Sequence, residues 1–167
     1  MNTPKIRAVY QLGAVVPNLE AGVEKYSEIL GIDKSKWVYF DTREMPEGAW
    51  GGQKYLGKDV SFHLRFATAN FHGLQYEVIE PIGDGENFYT AALKETDGRG
   101  GFNHISAYFD NFEETVEYYK SIGAPIISEL DMGGTHVYFF DLRKEIGTII
   151  ETYKVDYWYV DTILKSE

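Results

Sequence analysis

The chain contains no cysteine. Disulfides, thiolate nucleophiles, iron–sulfur clusters and zinc ribbons are therefore excluded, and any bound metal has to rest on His, carboxylate and amide ligands. Basic residues are scarce too: 16 Lys and Arg stand against 26 Asp and Glu, a formal net charge of −10. Such a chain is repelled by nucleic acid and anionic membranes at long range, so neither is an expected partner. Long apolar runs are missing. No stretch approaches the roughly 18 residues of a membrane span, and residues 1–9 lack the apolar core of a signal peptide. A cytoplasmic location is the resulting expectation. Gly83–Gly85 is no phosphate loop, since neither the following Lys nor the strand-to-helix setting is there. What the chain has in quantity is rings, with Phe, Trp and Tyr at 16%. Its 167 residues, 44% hydrophobic and 25% charged, fit one ordinary domain or two small modules folded together.

An internal repeat favours the second form. Tyr10-Gln-Leu-Gly-Ala-Val-Val-Pro-Asn18 and Phe102-Asn-His-Ile-Ser-Ala-Tyr-Phe-Asp-Asn111 each read as a short strand ending at an Asn that can cap a helix. Gln11 precedes Asn18 by seven positions, and His104 precedes Asn111 by seven. Apolar residues then fall on one helical face: Leu19, Val23, Tyr26 and Leu30 in the first copy, Phe112, Val116, Tyr119 and Ile122 in the second. Asn111 with Glu114 resembles a capping box, and Gly31 and Gly123 suit left-handed C-terminal caps. Three strands follow in each half: 36–42, 59–67 and 73–80, then 125–130, 135–142 and 147–153. Polar or glycine-rich turns at 48–57, 133–134 and 143–146 separate them. The spacing thus predicts an α+β chain of two βαβββ modules, 1–81 and 102–154, forming an open mixed-sheet cradle. A connecting loop, 82–101, is expected over the site. The tail 155–167, with Tyr157, Trp158 and Tyr159, is expected to pack on the body or a partner chain.

The repeat also places polar residues in register. Gln11 and His104 occupy one position of the first strands. Glu77 and Glu151 occupy one position of the last, each four residues after a glycine, Gly73 and Gly147. A pseudo-twofold brings equivalent positions to one axis, so the four are expected to converge. A carboxylate between apolar neighbours is costly to bury unless paired or bound to a cation. Two carboxylates facing one His and one amide make a ligand set for Mg, Mn, Co, Ni or Zn. Phe62, Tyr138 and Phe140 are the candidate pocket walls.

The stretches Gln11–Asn18, Tyr76-Glu-Val-Ile-Glu-Pro81, Gly100-Gly-Phe-Asn-His-Ile-Ser-Ala107 and Gly147-Thr-Ile-Ile-Glu-Thr152 carry a family resemblance. The chain resembles the vicinal oxygen chelate superfamily, which groups glyoxalases, bleomycin-resistance proteins and extradiol dioxygenases, over about residues 7–154. It looks most like the methylmalonyl-CoA epimerase-like members. The resemblance puts Gln11, Glu77, His104 and Glu151 on the family's four metal positions, a set similar to that of eukaryotic-type glyoxalase I. It implies an isomerase, epimerase or lyase that moves a proton through a metal-stabilised enolate of a small oxygenated substrate. Glu151 is then the first candidate base and Glu77 the second, and the assembly is expected to be a homodimer. Two alternatives belong to the same fold: a small-molecule binding or drug-resistance protein without turnover, and a metal-dependent extradiol-type dioxygenase. Dioxygenases of that type hold Fe(II) with two His and one carboxylate, and Gln11 and Glu77 depart from that set. The epimerases carry a further acid–base carboxylate on the third strand of the first module. Here that strand offers His63 instead, a candidate second acid or base. No clustered Lys/Arg run stands ready for CoA phosphates, because Lys54, Lys58, Arg65 and Arg99 are scattered.

Overall fold

Both expected caps form. Asn18 Oδ1 accepts from the Ala21 amide at 2.9 Å, starting helix α1 (Leu19–Leu30). Asn111 Oδ1 accepts from the Glu114 amide at 3.1 Å, starting α3 (Phe112–Ser121). Gly31 and Gly123 lie in the left-handed region just past the two helices. The structure is a computed structural model that describes residues 3–167. Met1 and Asn2, the first two residues of the expected first module, lie outside the described residues.

A complete capping box occurs at a place not expected to be helical. Within 82–101 the chain forms α2 (Phe88–Glu95), where the Asn87 side chain accepts from the Tyr89 and Thr90 amides and Thr90 returns the bond. Asn87 is almost fully buried. Asn87→Ala is expected to cost about 1–2 kcal/mol, the usual range for a lost N-cap, measurable by urea unfolding.

The strands are β1 (Ile6–Val15), β2 (Val38–Asp41), β3 (Trp50–Tyr55), β4 (Lys58–Asp59), β5 (His63–Phe71), β6 (Leu74–Ile82), β7 (Gly101–Phe109), β8 (Ile126–Met132), β9 (Thr135–Leu142) and β10 (Thr148–Tyr153). They form one mixed sheet in the order β2-β5-β6-β1-β7-β10-β9-β8-β3-β4. The first module supplies β2-β5-β6-β1 and the second β7-β10-β9-β8, the α+β cradle that the repeat predicts. The modules meet where β1 runs antiparallel to β7, with Gln11 opposite Ser106 and Gly13 opposite His104. Gly13 also lies opposite Glu77 on parallel β6, and Ser106 opposite Glu151 on parallel β10. A pseudo-twofold between β1 and β7 therefore exchanges 11 with 104, 13 with 106 and 77 with 151.

Three details differ from expectation. The stretch 48–57, expected to be a turn, instead contributes β3 to the β3–β4 hairpin. It crosses to the far edge and pairs with β8, Trp50 opposite Met132 and Tyr55 opposite Ser128. Gly51 and Gly52 serve a register shift there; a Cβ on Gly52 would lie 2.2 Å from an Asp131 carboxylate oxygen. The turn at 143–146 is a short helix, α4 (Arg143–Ile146). Tyr138 and Phe140 face outward, so the pocket walls expected from them are corrected by one position. Phe140 is fully buried beneath Val116 and Tyr119 of α3, with Tyr138 packed alongside. Their neighbour Phe139, opposite Glu151 in the ladder, faces the cradle. Alternation defines two faces of a strand, but not which one is inside.

Helices α1 and α3 cover the outer face. Leu19 and Val23 pack on Ala67, Ala69 and Val78. The inner face is covered as well. Phe88, Tyr89 and Ala92 of α2 pack among Val15, Phe66, Ile79, Phe139 and Ile149. The tail forms α5 (Tyr157–Leu164), whose Val160 and Ile163 seat on Tyr10. Tail and body are tied further by the Gly73 amide, which donates to the Ser166 carbonyl at 3.1 Å. Tyr157 and Trp158 remain exposed. Among the described residues no helix is long and apolar enough to cross a membrane.

Candidate metal centre

Gln11, Glu77, His104 and Glu151 meet on the inner face, between α2 and α5. His104 Nε2 stands 3.6 Å from Glu151 Oε2 and 3.8 Å from Glu77 Oε2. His104 Nδ1 lies 3.1 Å from Asn103 Oδ1. That contact selects the tautomer with the proton on Nδ1 and turns the Nε2 lone pair toward the two carboxylates. Among the described residues, His104 Nε2 is the only buried side-chain nitrogen or oxygen with no hydrogen-bond partner. A buried lone pair that faces two carboxyl groups and bonds neither is left unsatisfied, and it suits a cation placed between them. The ring reaches this place because residue 13 is glycine: a Cβ there would lie 2.1 Å from both Cε1 and Nε2 of His104.

The amide completes the set. A register shift between Val9 and Gln11 on β1 brings Tyr10 to the same side as Gln11. Tyr10 packs edge-on to Tyr153 at 6.5 Å between centroids. The Ser106 hydroxyl sits between Gln11 Oε1 and Glu151 Oε2, in short contact with both. Ser106 was not among the expected residues. It is the pseudo-twofold mate of Gly13, two positions after His104, and strand alternation from His104 points to it.

Burial pushes the Glu151 carboxyl up to about 7, and the neighbouring Glu77 adds to the rise, while His104 and the Ser106 bond oppose it. Tyr89 of α2 is buried beside the same carboxylates and is held well above the usual phenol range, chiefly by desolvation.

The four donors suit a divalent cation by type, with one imidazole, two carboxylates and an amide oxygen. Two ligands at about 2.1 Å in a tetrahedral site stand about 3.4 Å apart, so the His–carboxylate separations are wider by a few tenths of an ångström. Among the described residues no group of three His, Asp or Glu side chains is closed to binding distance. The set converges without closing to that distance.

The structure does not bring His63 to this centre. His63 shares the outer face of β5 with Arg65, whose guanidinium bonds Glu20 of α1 and Glu80. Its Nδ1 contacts Thr42 Oγ1 at 3.0 Å, and the residue is exposed. Thr68, not His63, lies opposite Glu77. The five-residue offset from Thr68 places His63 about 16 Å along the strand, at roughly 3.3 Å per residue. His63→Ala is expected to leave metal affinity unchanged and to shift stability by no more than about 0.5 kcal/mol, checked by calorimetric titration and thermal melts. Phe62, by contrast, is buried against Trp50 and Tyr89, each edge-on with centroids 5.7 Å away, on the α2 side of the cradle.

A paired-module cradle with convergent donors on its inner face defines a class of proteins, and comparison with known proteins gives the family. The model of the glyoxalase/bleomycin resistance protein/dioxygenase superfamily matches residues 10–139, and the chain belongs to that superfamily. Among solved structures, it is similar to a Streptomyces coelicolor methylmalonyl-CoA epimerase variant in complex with 2-nitronate-propionyl-CoA, at 15% identity and a TM-score of 0.58 over 89% of this chain and 97% of that one. The Mycobacterium tuberculosis methylmalonyl-CoA epimerase gives 12% identity and a TM-score of 0.58 over 95% of each chain. A hypothetical protein from Bacillus halodurans gives 17% and 0.57 over 93% of this chain and 96% of that one. At these identities the likeness is one of fold. No curated protein matches the chain.

Proposed function

We propose that this protein is a divalent-metal-dependent isomerase, epimerase or lyase of the glyoxalase type, moving a proton at the carbon next to a carbonyl of a small oxygenated substrate. The observation that carries this reading is the buried, unpartnered His104 Nε2 aimed at Glu77 and Glu151. Gln11, Glu77, His104 and Glu151 would hold the cation, which supplies Lewis acidity toward a carbonyl oxygen when bound. Glu151 is the group for the proton: its carboxylate stands 3.6 Å from His104 Nε2, at the edge of the place a cation would take, where it can accept a proton and return it. Glu77 stands second. Ser106 holds Glu151 in place through its hydroxyl, and the Phe88 and Phe139 rings beside His104 keep water from the reacting carbon.

A hollow of about 170 Å³ at the end of α2 is lined by Asn103 and Ile149, one residue from His104 and two from Glu151, and is the approach this reading assigns to the substrate. Arg143, the cation lining that hollow among the described residues, is committed to Asp141 and Glu95, and so does not stand free for the phosphates of a CoA tail. A free 2-oxo or hydroxy acid therefore fits better than a CoA ester, although the solved relatives include complexes with CoA esters.

The test is metal analysis followed by solvent-deuterium exchange into 2-oxo acids and acyl thioesters. Metal-dependent exchange that Glu151→Gln lowers by 100-fold or more is expected, in the range of a lost general base. A protein that binds no divalent metal, or exchanges equally well after Glu151→Gln, defeats the reading.

A further inference from the structure

The Gln11 amide has two ends, and only its oxygen can serve a cation. Which end faces the cluster is decided one strand away. Gln75, opposite Gln11 on β6, donates from Nε2 to Asn70 Oδ1 at 2.9 Å and to the Tyr159 hydroxyl at 3.1 Å. With its NH2 so engaged, Gln75 turns Oε1 to Gln11, whose Nε2 donates to it at 2.7 Å. Gln11 Oε1 is thereby left pointing at Ser106 and the cluster. Gln11, Gln75 and Ser106 are each at most 5% exposed, so water has little room to replace these bonds.

The pseudo-twofold supplies a second argument. The mate of Gln75 is Ile149, which lies opposite His104 as Gln75 lies opposite Gln11. An imidazole already fixed by Asn103 needs no such partner, and an amide does. The strand position is polar only on the side where a ligand has to be oriented.

We propose that Gln75 is a positioning residue that sets the Gln11 amide with its oxygen toward the cation, and that Asn70 and Tyr159 of α5 hold Gln75 in that orientation. The inference rests on the metal reading above. In the full-length chain, Co(II) titration by calorimetry and by the visible ligand-field spectrum tests it. Gln75→Leu is expected to weaken Co(II) binding ten- to a hundredfold and to alter the spectrum, as loss of an outer partner of a ligand does. The same substitution in a Gln11→Ala background is expected to cost nothing further, since its effect passes through Gln11. If the losses add, or if Gln75→Leu binds Co(II) like the wild type, Gln75 does not orient Gln11 and the proposal falls. Should Gln75→Leu not fold, Asn70→Ala with Tyr159→Phe frees the Gln75 amide to turn. A several-fold loss is expected there, and unchanged affinity overturns the proposal. A folded wild type that binds no Co(II) is a different outcome: the metal reading itself then fails, and this one with it.

Discussion

Gly13→Ala is expected to abolish tight divalent-metal binding while leaving a folded, weakened protein. The added methyl would stand 2.1 Å from two atoms of the His104 ring and 2.8 Å from a third. The ring has little freedom to yield, with Phe139 edge-on at 5.2 Å between centroids and Phe88 at 6.1 Å. Either the imidazole leaves its place or β1 and β7 separate. Overpacking of this kind costs about 1–3 kcal/mol, and displacement of a ligand lowers affinity by more than the roughly 10–100-fold of an outer-shell change. Co(II) titration and urea unfolding read the two effects separately. His104→Ala in the same background should recover most of the lost stability and none of the affinity. A Gly13→Ala protein with wild-type affinity would show that His104 is not a ligand.

The second large effect is on pH. The metal-free protein is expected to lose stability as pH rises from about 4.5 to about 7. Glu151 keeps its proton up to about 7 in the folded chain, against 4.5 as its ordinary value. Through that window the unfolded chain binds fewer protons than the folded one, so the free energy of unfolding falls with pH. The difference amounts to about 3 kcal/mol at 1.36 kcal/mol per pH unit. Below 4.5 this contribution is fully present, and above 7 it is gone. A divalent cation should reverse the trend by accepting the charged carboxylate, so metal stabilises most at high pH. Glu151→Gln should flatten the profile, stabilise the metal-free protein at pH 8 and remove most of the response to metal. Urea melts from pH 4 to 8, with chelator and with metal, decide it. A flat profile in the chelated wild type would contradict the burial argument.

The four central residues were legible because a repeat carries positional information that a single strand does not. Gln11 and His104, and Glu77 and Glu151, stand at equal offsets from an Asn or a Gly, and the β1–β7 pairing makes those offsets spatial. Gly13 and Ser106 share the same register and act by volume and by a hydroxyl, neither of which announces itself among apolar neighbours. Tyr138 and Phe140 were one residue from the correct face because both faces of β9 are buried. The helix α2 hid in a segment flanked by glycines and acids, where Asn87 with Thr90 was its one local signal. The β3–β4 hairpin left no local trace, since its partner strand lies more than seventy residues further along the chain.

That hairpin bears on how the molecule can be taken apart. The repeat suggests two separable halves, yet the first half carries β3, whose pairing beyond its own hairpin is with β8 of the second. A fragment ending near residue 82 would expose β3 and one side of β1 together, two unsatisfied edges of the kind that recruit other chains. Fragments cut between the halves are expected to aggregate when made alone and to regain structure only when mixed. The two copies are expected to unfold as one cooperative unit, clasped by a hairpin that the first lends to the second.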